Sequence, residues 1–266
     1  MGIPFLASLR IKSCVGRVRQ GLALSLVLTF AGACSSPQQG PIRDTWCSST
    51  ATADVLDDME DGDVALCAKF GVGKWRVVTA DGVATTPVAG GLSRSDDLPI
   101  AVLPADRAST RALHFQLKSP GFPDTSPAAF ASLQVDLKGV DLSRYASLRF
   151  WTHANTATKV RVNLGSAATT ASSAGGTCDS SAGLCGDHYG LTVDVAASLA
   201  PTSWDQVDSI ALSGLTQEGW GQTVPVNDLA HATSLEFRFS GKFLDADRWV
   251  SPEAFDVWID DIELIR

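Results

Sequence analysis

Ser147-Leu148-Arg149-Phe150-Trp151-Thr152-His153 alternates apolar and polar side chains with a period of two. In an extended chain successive side chains point to opposite faces, so Leu148 and Phe150 fall on one side and Arg149, Trp151 and His153 on the other. Wound as a helix, the same residues would mix around the circumference and leave no apolar stripe. A strand with one buried and one solvated face is the reading that accounts for every position.

The pattern recurs on both sides of this stretch. Arg111–Leu117 puts Leu113, Phe115 and Leu117 on one face with His114 and Gln116 opposite. Lys159–Leu164 and Ser234–Phe239 repeat the scheme, the latter two setting Arg161, Asn163, Glu236 and Arg238 on polar faces. The last run buries Phe255, Val257 and Ile259. Gly, Pro, Asp and Ser clusters separate the runs and no long amphipathic helix competes, which predicts an all-β sandwich or barrel. Two low-complexity stretches, about 81–107 and 165–187, read as long loops of the kind that carry function or flexibility.

The N-terminus is a different kind of segment. Arg10, Lys12, Arg17 and Arg19 precede the apolar run Gly21–Ala33, a secretory signal too short to span a bilayer. Phe30-Ala31-Gly32-Ala33-Cys34-Ser35 resembles the lipobox of bacterial lipoproteins, which implies lipidation of Cys34. Ser35 resembles the outer-membrane sorting pattern. Several acyl tails would then anchor the chain to the envelope. Residues 35–50 are rich in Ser, Pro, Gln and Gly, a tether between lipid and domain. The expected division is 1–33 signal peptide, 34–53 lipidated tether and 54–266 a single folded domain.

Loss of residues 1–33 leaves 17 basic and 29 acidic side chains, a formal charge of −12. That balance excludes nucleic acid, and leaves the lipid anchor as the only contact with membrane. Cys47, Cys67, Cys178 and Cys185 remain beside Cys34. An even number in an exported chain predicts disulfides, with three possible connectivities. A local Cys178–Cys185 staple is the simplest choice, leaving Cys47–Cys67. A zinc site is the rival, but neither pair has the short paired spacing of a zinc ribbon.

Asp57-Asp58-Met59-Glu60-Asp61-Gly62-Asp63 holds five acids in seven residues, and Asp260-Asp261 answers it on the last strand. Either the early acids form a solvated turn, or they wall a cation site that closes when the first and last strands meet. Alternation places Asp261 on the side of Ile259, at the edge of the core.

Four landmarks in order complete a family resemblance: Asp57–Gly62, Asp141–Trp151, Gln217-Glu218-Gly219-Trp220-Gly221 and Trp258–Ile262. Together they resemble the galactose-binding-like β-jelly rolls, especially family 11 carbohydrate-binding modules and complex I intermediate-associated protein domains. The resemblance spans about 54–266. It implies a jelly roll that binds a glycan on a concave sheet face without cleaving it. It also implies a structural Ca²⁺ near the joined first and last strands, with Glu60 and Asp260 or Asp261 among its ligands. The chemistry agrees in kind, because calcium takes six to eight hard oxygens.

A sugar site needs an aromatic face and planar polar groups. The positions available are Trp151 with Arg149, Arg161 and Asn163, then His114, Gln116, Glu236 and Arg238. Trp204 reads as a packing residue, Trp220 between two glycines as packing first and a cleft edge second, and Trp75 divides evenly between core and cleft. No nucleophile elbow, zinc-protease pair or phosphate loop is present, so an enzyme is not expected. The expected function is a non-catalytic carbohydrate-binding envelope lipoprotein. An adaptor that binds another envelope protein and a weak glycan-active enzyme are the second and third readings. The oligomeric state is not legible.

Overall fold

The computed structural model describes residues 47, 49–60, 65–70, 73–80, 83, 85–86, 111–118, 129–198, 203–240, 242–245, 248–250 and 254–266. The expected signal peptide, Cys34 and the tether up to residue 46 lie outside the described residues, as do Asp61, Asp63 and most of 81–107.

Among the described residues thirteen strands follow in chain order: β1 (Ala53–Asp57), β2 (Arg76–Thr79), β3 (Thr85–Thr86), β4 (Leu113–Leu117), β5 (Phe130–Val140), β6 (Ser147–Ala154), β7 (Thr158–Ser166), β8 (Tyr189–Val195), β9 (Asp205–Ala211), β10 (Ala232–Ser240), β11 (Lys242–Asp245), β12 (Arg248–Val250) and β13 (Phe255–Ile265). One sheet runs β3-β4-β13-β6-β9, with β1 also on β13; the other runs β2-β5-β10-β7-β8, and β11-β12 is a separate pair. All named pairings are antiparallel. β3 is a short strand inside a stretch that the sequence reads as loop.

The first and last strands meet. β13 has β6 on one edge, and on the other it pairs with β4 through Phe255–Ile259 and with β1 through Ile262–Ile265. Chain ends that share a strand lock each other, and Arg266 N donates to Thr52 O at 2.8 Å beyond the last pair.

Between the sheets lies an aromatic core. Phe115 stacks on Phe239 with ring centres 5.2 Å apart, Phe150 meets Phe237 edge-on at 4.9 Å, and Trp75 lies 5.8 Å from Phe237. Each fully buried ring removes apolar surface worth about 2–3 kcal/mol from water. Because those rings fill the inner faces, the alternate residues of both sheets point outward, and two opposed polar faces result.

Both expected disulfides are formed, Cys47–Cys67 and Cys178–Cys185. The stretch 165–187 is not a structureless loop. It carries two short 3₁₀ turns, Ser172–Ala174 and Ser180–Ala182, and its backbone is tied by Thr177 N to Ala167 O, Cys178 N to Thr170 O and Gly186 N to Thr169 O.

Candidate functional site

The outer face of the five-stranded sheet collects polar side chains in rows across the strands. Register places Asn163 beside Glu236, Glu236 beside Gln134, and Gln134 beside Arg76. Asn163 Nδ2 donates to Glu236 Oε2 at 2.9 Å, and Arg76 reaches Gln134 Oε1 at 2.9 Å and both oxygens of Asp136 at 2.8 Å. In the next row Arg161 and Arg238 are cross-strand neighbours. Two guanidinium groups side by side repel, so a carboxylate between them is required.

Glu218 supplies it from outside the sheet. The turn Thr216–Gly221 bridges onto β8 through reciprocal backbone bonds between Thr216 and Gly190. Glu218 Oε2 accepts from Arg238 Nη1 at 2.9 Å and from Trp220 Nε1 at 3.1 Å, while its Oε1 lies 3.8 Å from Arg161 Nε. Arg161 Nη2 donates to Thr216 O. Burial lowers the Arg161 guanidinium from its usual range; Glu218 opposes the shift and Arg238 adds to it. Trp220 is 47 % exposed, the most exposed aromatic among the large apolar side chains that face solvent in the described residues. The arrangement is an open indole beside two cations and a carboxylate held in fixed orientations. Arg161 Nε, Arg238 Nε and Asn163 Oδ1 are buried beneath this face without a hydrogen-bond partner.

Gly190 makes the close packing possible. A Cβ there would lie 2.1 Å from Asn163 Oδ1, 2.7 Å from Val162 O and 3.0 Å from Arg161 Nε.

The outer face of the six-stranded sheet is built differently. His114 stacks on Trp258 at 4.4 Å with the rings 6° from parallel, and His153 lies 5.0 Å from Trp258 and 5.6 Å from Trp204. Trp151 and Trp258 pack against buried Ala112 and Trp204. His114 Nε2 and Asp256 Oδ1 are 2.9 Å apart; burial lowers the imidazole, and Asp256 opposes that shift. Arg149 pairs with Glu263. This face is an aromatic and histidine layer in which Trp151 is half-buried.

The single platform expected from the sequence therefore divides. Trp151, Arg149, His114 and Gln116 lie on the six-stranded sheet, and Arg161, Asn163, Glu236 and Arg238 on the other, with the core between them. Alternation assigns a residue to a polar face but not to a sheet. Glu218, Trp220 and Gln134 join the second group, and Glu218-Gly219-Trp220-Gly221 was their signal in the sequence: a tryptophan between glycines has little around it to bury it.

At the junction of β1 and β13 the acidic segments do come to one place. Asp57 pairs with Ile262, and its two oxygens accept from Met59 N at 3.0 Å and Trp75 Nε1 at 2.8 Å. Asp58 Oδ1 accepts from Glu60 N, and Glu60 Oε1 from Arg111 N. A bulge between Asp260 and Glu263 breaks the alternation of β13. Asp260, rather than the expected Asp261, is the fully buried residue, at 0 % exposure, and Asp261 takes φ +43° on the bulge. The donors are hard oxygens, the type calcium takes. Among the described residues no three His, Cys, Asp or Glu side chains gather to hold a metal.

No family model and no curated protein matches the chain. Among solved structures, a family 11 carbohydrate-binding module from Clostridium thermocellum, in complex with a β-1,3-1,4-mixed-linked tetrasaccharide, superposes with a TM-score of 0.50 at 16% identity, over 82% of this chain and 97% of that one. The family 11 module of the cellulosomal cellulase Lic26A-Cel5E of the same organism gives a TM-score of 0.47 at 16% identity, over 82% and 96%. At 16% identity the likeness to the first of these shows the fold alone, a β-sandwich jelly roll.

Proposed function

We propose that this domain binds a glycan, without cleaving it, on the outer face of its five-stranded sheet, and that it does so as part of an exported, lipid-anchored envelope protein. The observation that carries the reading is the convergence of exposed Trp220 with Glu218, Arg238 and Arg161 beside the Asn163–Glu236 row. A pyranose offers an apolar C–H face and a ring of hydroxyls. An indole takes the first, and oriented guanidinium, amide and carboxylate groups take the second. The tetrasaccharide in the complex of the similarly folded module supports a glycan as the ligand class.

Hydrolysis would need two carboxylates flanking the scissile bond, one of them delivering a proton. The carboxylates of this face are instead fixed as acceptors: Glu218 by Arg238 and Trp220, Glu236 by Asn163. Fixed acceptors orient hydroxyls, which favours binding over catalysis. The lipid anchor rests on the basic and apolar leader ending at Cys34, and metabolic labelling with a radioactive fatty acid, lost in Cys34→Ser, tests it. A structural calcium at the β1–β13 junction, with Glu60 and Asp260 or Asp261 among its ligands and backbone carbonyls filling the remainder, belongs to the same proposal, supported by complete burial of Asp260.

A glycan array tests the binding function. Signal on one glycan class, lost in Trp220→Ala with the melting temperature unchanged, is expected; an array with no signal overturns it.

A further inference from the structure

The Thr216–Gly221 turn carries both Glu218 and Trp220. Its conformation is set from below by one buried carboxylate. Asp187, 2 % exposed, receives three backbone donors: Glu218 N on Oδ1 at 2.9 Å, and Gly219 N and Gly221 N on Oδ2 at 2.8 and 3.1 Å. Gln217 closes the same turn from its own side chain. Its Nε2 donates to Asp187 O at 2.7 Å and Gln222 O at 2.9 Å, and its Oε1 accepts from Val224 N at 2.8 Å.

The turn is seated without spare room. A Cβ at Gly221 would lie 2.4 Å from Asp187 Cβ and 2.7 Å from Leu184 O, and one at Gly186 would sit 3.4 Å from the Trp220 ring. Gln222 N donates to Leu184 O at 2.9 Å, next to the Cys178–Cys185 bond. Gly219 takes φ +90°, a conformation that glycine adopts without strain.

We infer that Asp187 is the positioning residue of the proposed glycan site: buried beneath the turn, it holds Glu218 against Arg238 and Trp220 open to solvent by binding three amides at once. This rests on the glycan reading for its ligand, but the geometry stands on its own. Three donors on one carboxylate need both oxygens as acceptors. Asp187→Asn keeps the shape yet turns one acceptor into a donor facing amide hydrogens, so the turn is released while the sandwich stays folded.

The test is a double-mutant cycle with an exchange measurement beside it. The probes are soluble mixed-linked β-1,3-1,4-glucan and β-1,4-galactan, read by affinity electrophoresis. Asp187→Asn is expected to weaken retention about tenfold, and Trp220→Ala by at least as much. The double variant is expected to lose less than the two single losses combined, because Asp187 acts in part through Trp220 and contributions shared between coupled residues are not additive. Amide exchange across residues 216–222 is expected to accelerate at least about tenfold in Asp187→Asn, with β10 and β13 amides unchanged. Should that variant not fold, Gly221→Ala, whose Cβ would press against Asp187 and lift the turn off it, is expected to give the same two results. Additive losses, or unchanged exchange in the turn, overturn the proposal. If the wild type is retained by neither polymer, that glycan reading fails, and the exchange result alone then supports or overturns the role of Asp187.

Discussion

Glu218 Oε2 accepts a hydrogen bond from Arg238 Nη1 at 2.9 Å, tying a surface turn to the central strand of the five-stranded sheet. The pair is partly exposed, with side chains 38 % and 16 % accessible, so it adds little to stability. Its effect falls on orientation. Glu218→Gln is expected to shift the melting temperature by no more than ~2 °C, the effect of under about 1 kcal/mol in a domain of this size. The same variant is expected to weaken glycan binding about tenfold, since charge-assisted bonds are roughly twice as strong as neutral ones. Thermal melts and a binding titration on one preparation check both; unchanged affinity would remove Glu218 from the site.

Asp54 joins the ends of the chain. It is almost fully buried and accepts from Tyr145 OH at 2.5 Å, Lys69 Nζ at 3.0 Å and Arg266. Burial pushes its carboxyl up, but hydrogen bonds from Tyr145, Ser49 and Lys69 and the Lys69 charge outweigh it and hold the group well below the usual carboxylate range. A depressed folded value means the stabilisation is present above the ordinary value of 3.8 and is lost as pH falls toward the folded one. Tyr145→Phe is expected to cost about 2 kcal/mol near neutral pH, the loss of a hydrogen bond to a charged group. The gap in urea midpoint between wild type and Asp54→Asn is expected to narrow below about pH 4. A gap independent of pH would show that Asp54 does not titrate into the fold.

The two disulfides are expected to separate in effect. Cys47–Cys67 closes a loop with a sequence separation of 20 and Cys178–Cys185 one of 7, so removing them costs about 3 and about 2.5 kcal/mol on the chain-entropy account. Only the second lies beside the Trp220 turn. Replacing Cys178 and Cys185 with serine is expected to weaken glycan binding, whereas the Cys47 and Cys67 pair of substitutions lowers stability and spares affinity. Equal binding by both variants would contradict this division.

Calcium is checked by a melt with the ion and with chelator. A hundredfold excess over Kd stabilises by about 2.7 kcal/mol, several degrees for a domain of this size. A melting temperature that rises with calcium supports the proposed ligation by Glu60 and Asp260 or Asp261. Identical melts remove it.

Period-two alternation made the strands readable because burial on one face leaves a mark every second residue. Leu148 and Phe150, Leu113, Phe115 and Leu117, and Leu235, Phe237 and Phe239 all face the core as that pattern requires. Pairing is long-range, however, and leaves no such mark. Nothing local separates Arg149 on β6 from Arg161 on β7, though they end on opposite faces of the sandwich. The bulge that buries Asp260 is invisible for the same reason: one extra residue reverses every later assignment along the strand. Trp75 and Trp220 show what burial depends on. The first is sealed under Phe237 with its Nε1 on Asp57, while the second stands between glycines on a turn held from beneath.

Calorimetric titration of soluble mixed-linked β-1,3-1,4-glucan, or the leading array glycan, into Trp220→Ala and Trp151→Ala tests the proposed site most directly. Trp220→Ala should lose at least tenfold in affinity, ~1.4 kcal/mol, with its melting temperature unchanged. Trp151→Ala, which opens the layer around Trp204 and Trp258, should melt earlier and bind as the wild type does. Full affinity in Trp220→Ala together with loss in a stably folded Trp151→Ala would contradict the assignment and move the site to the six-stranded sheet.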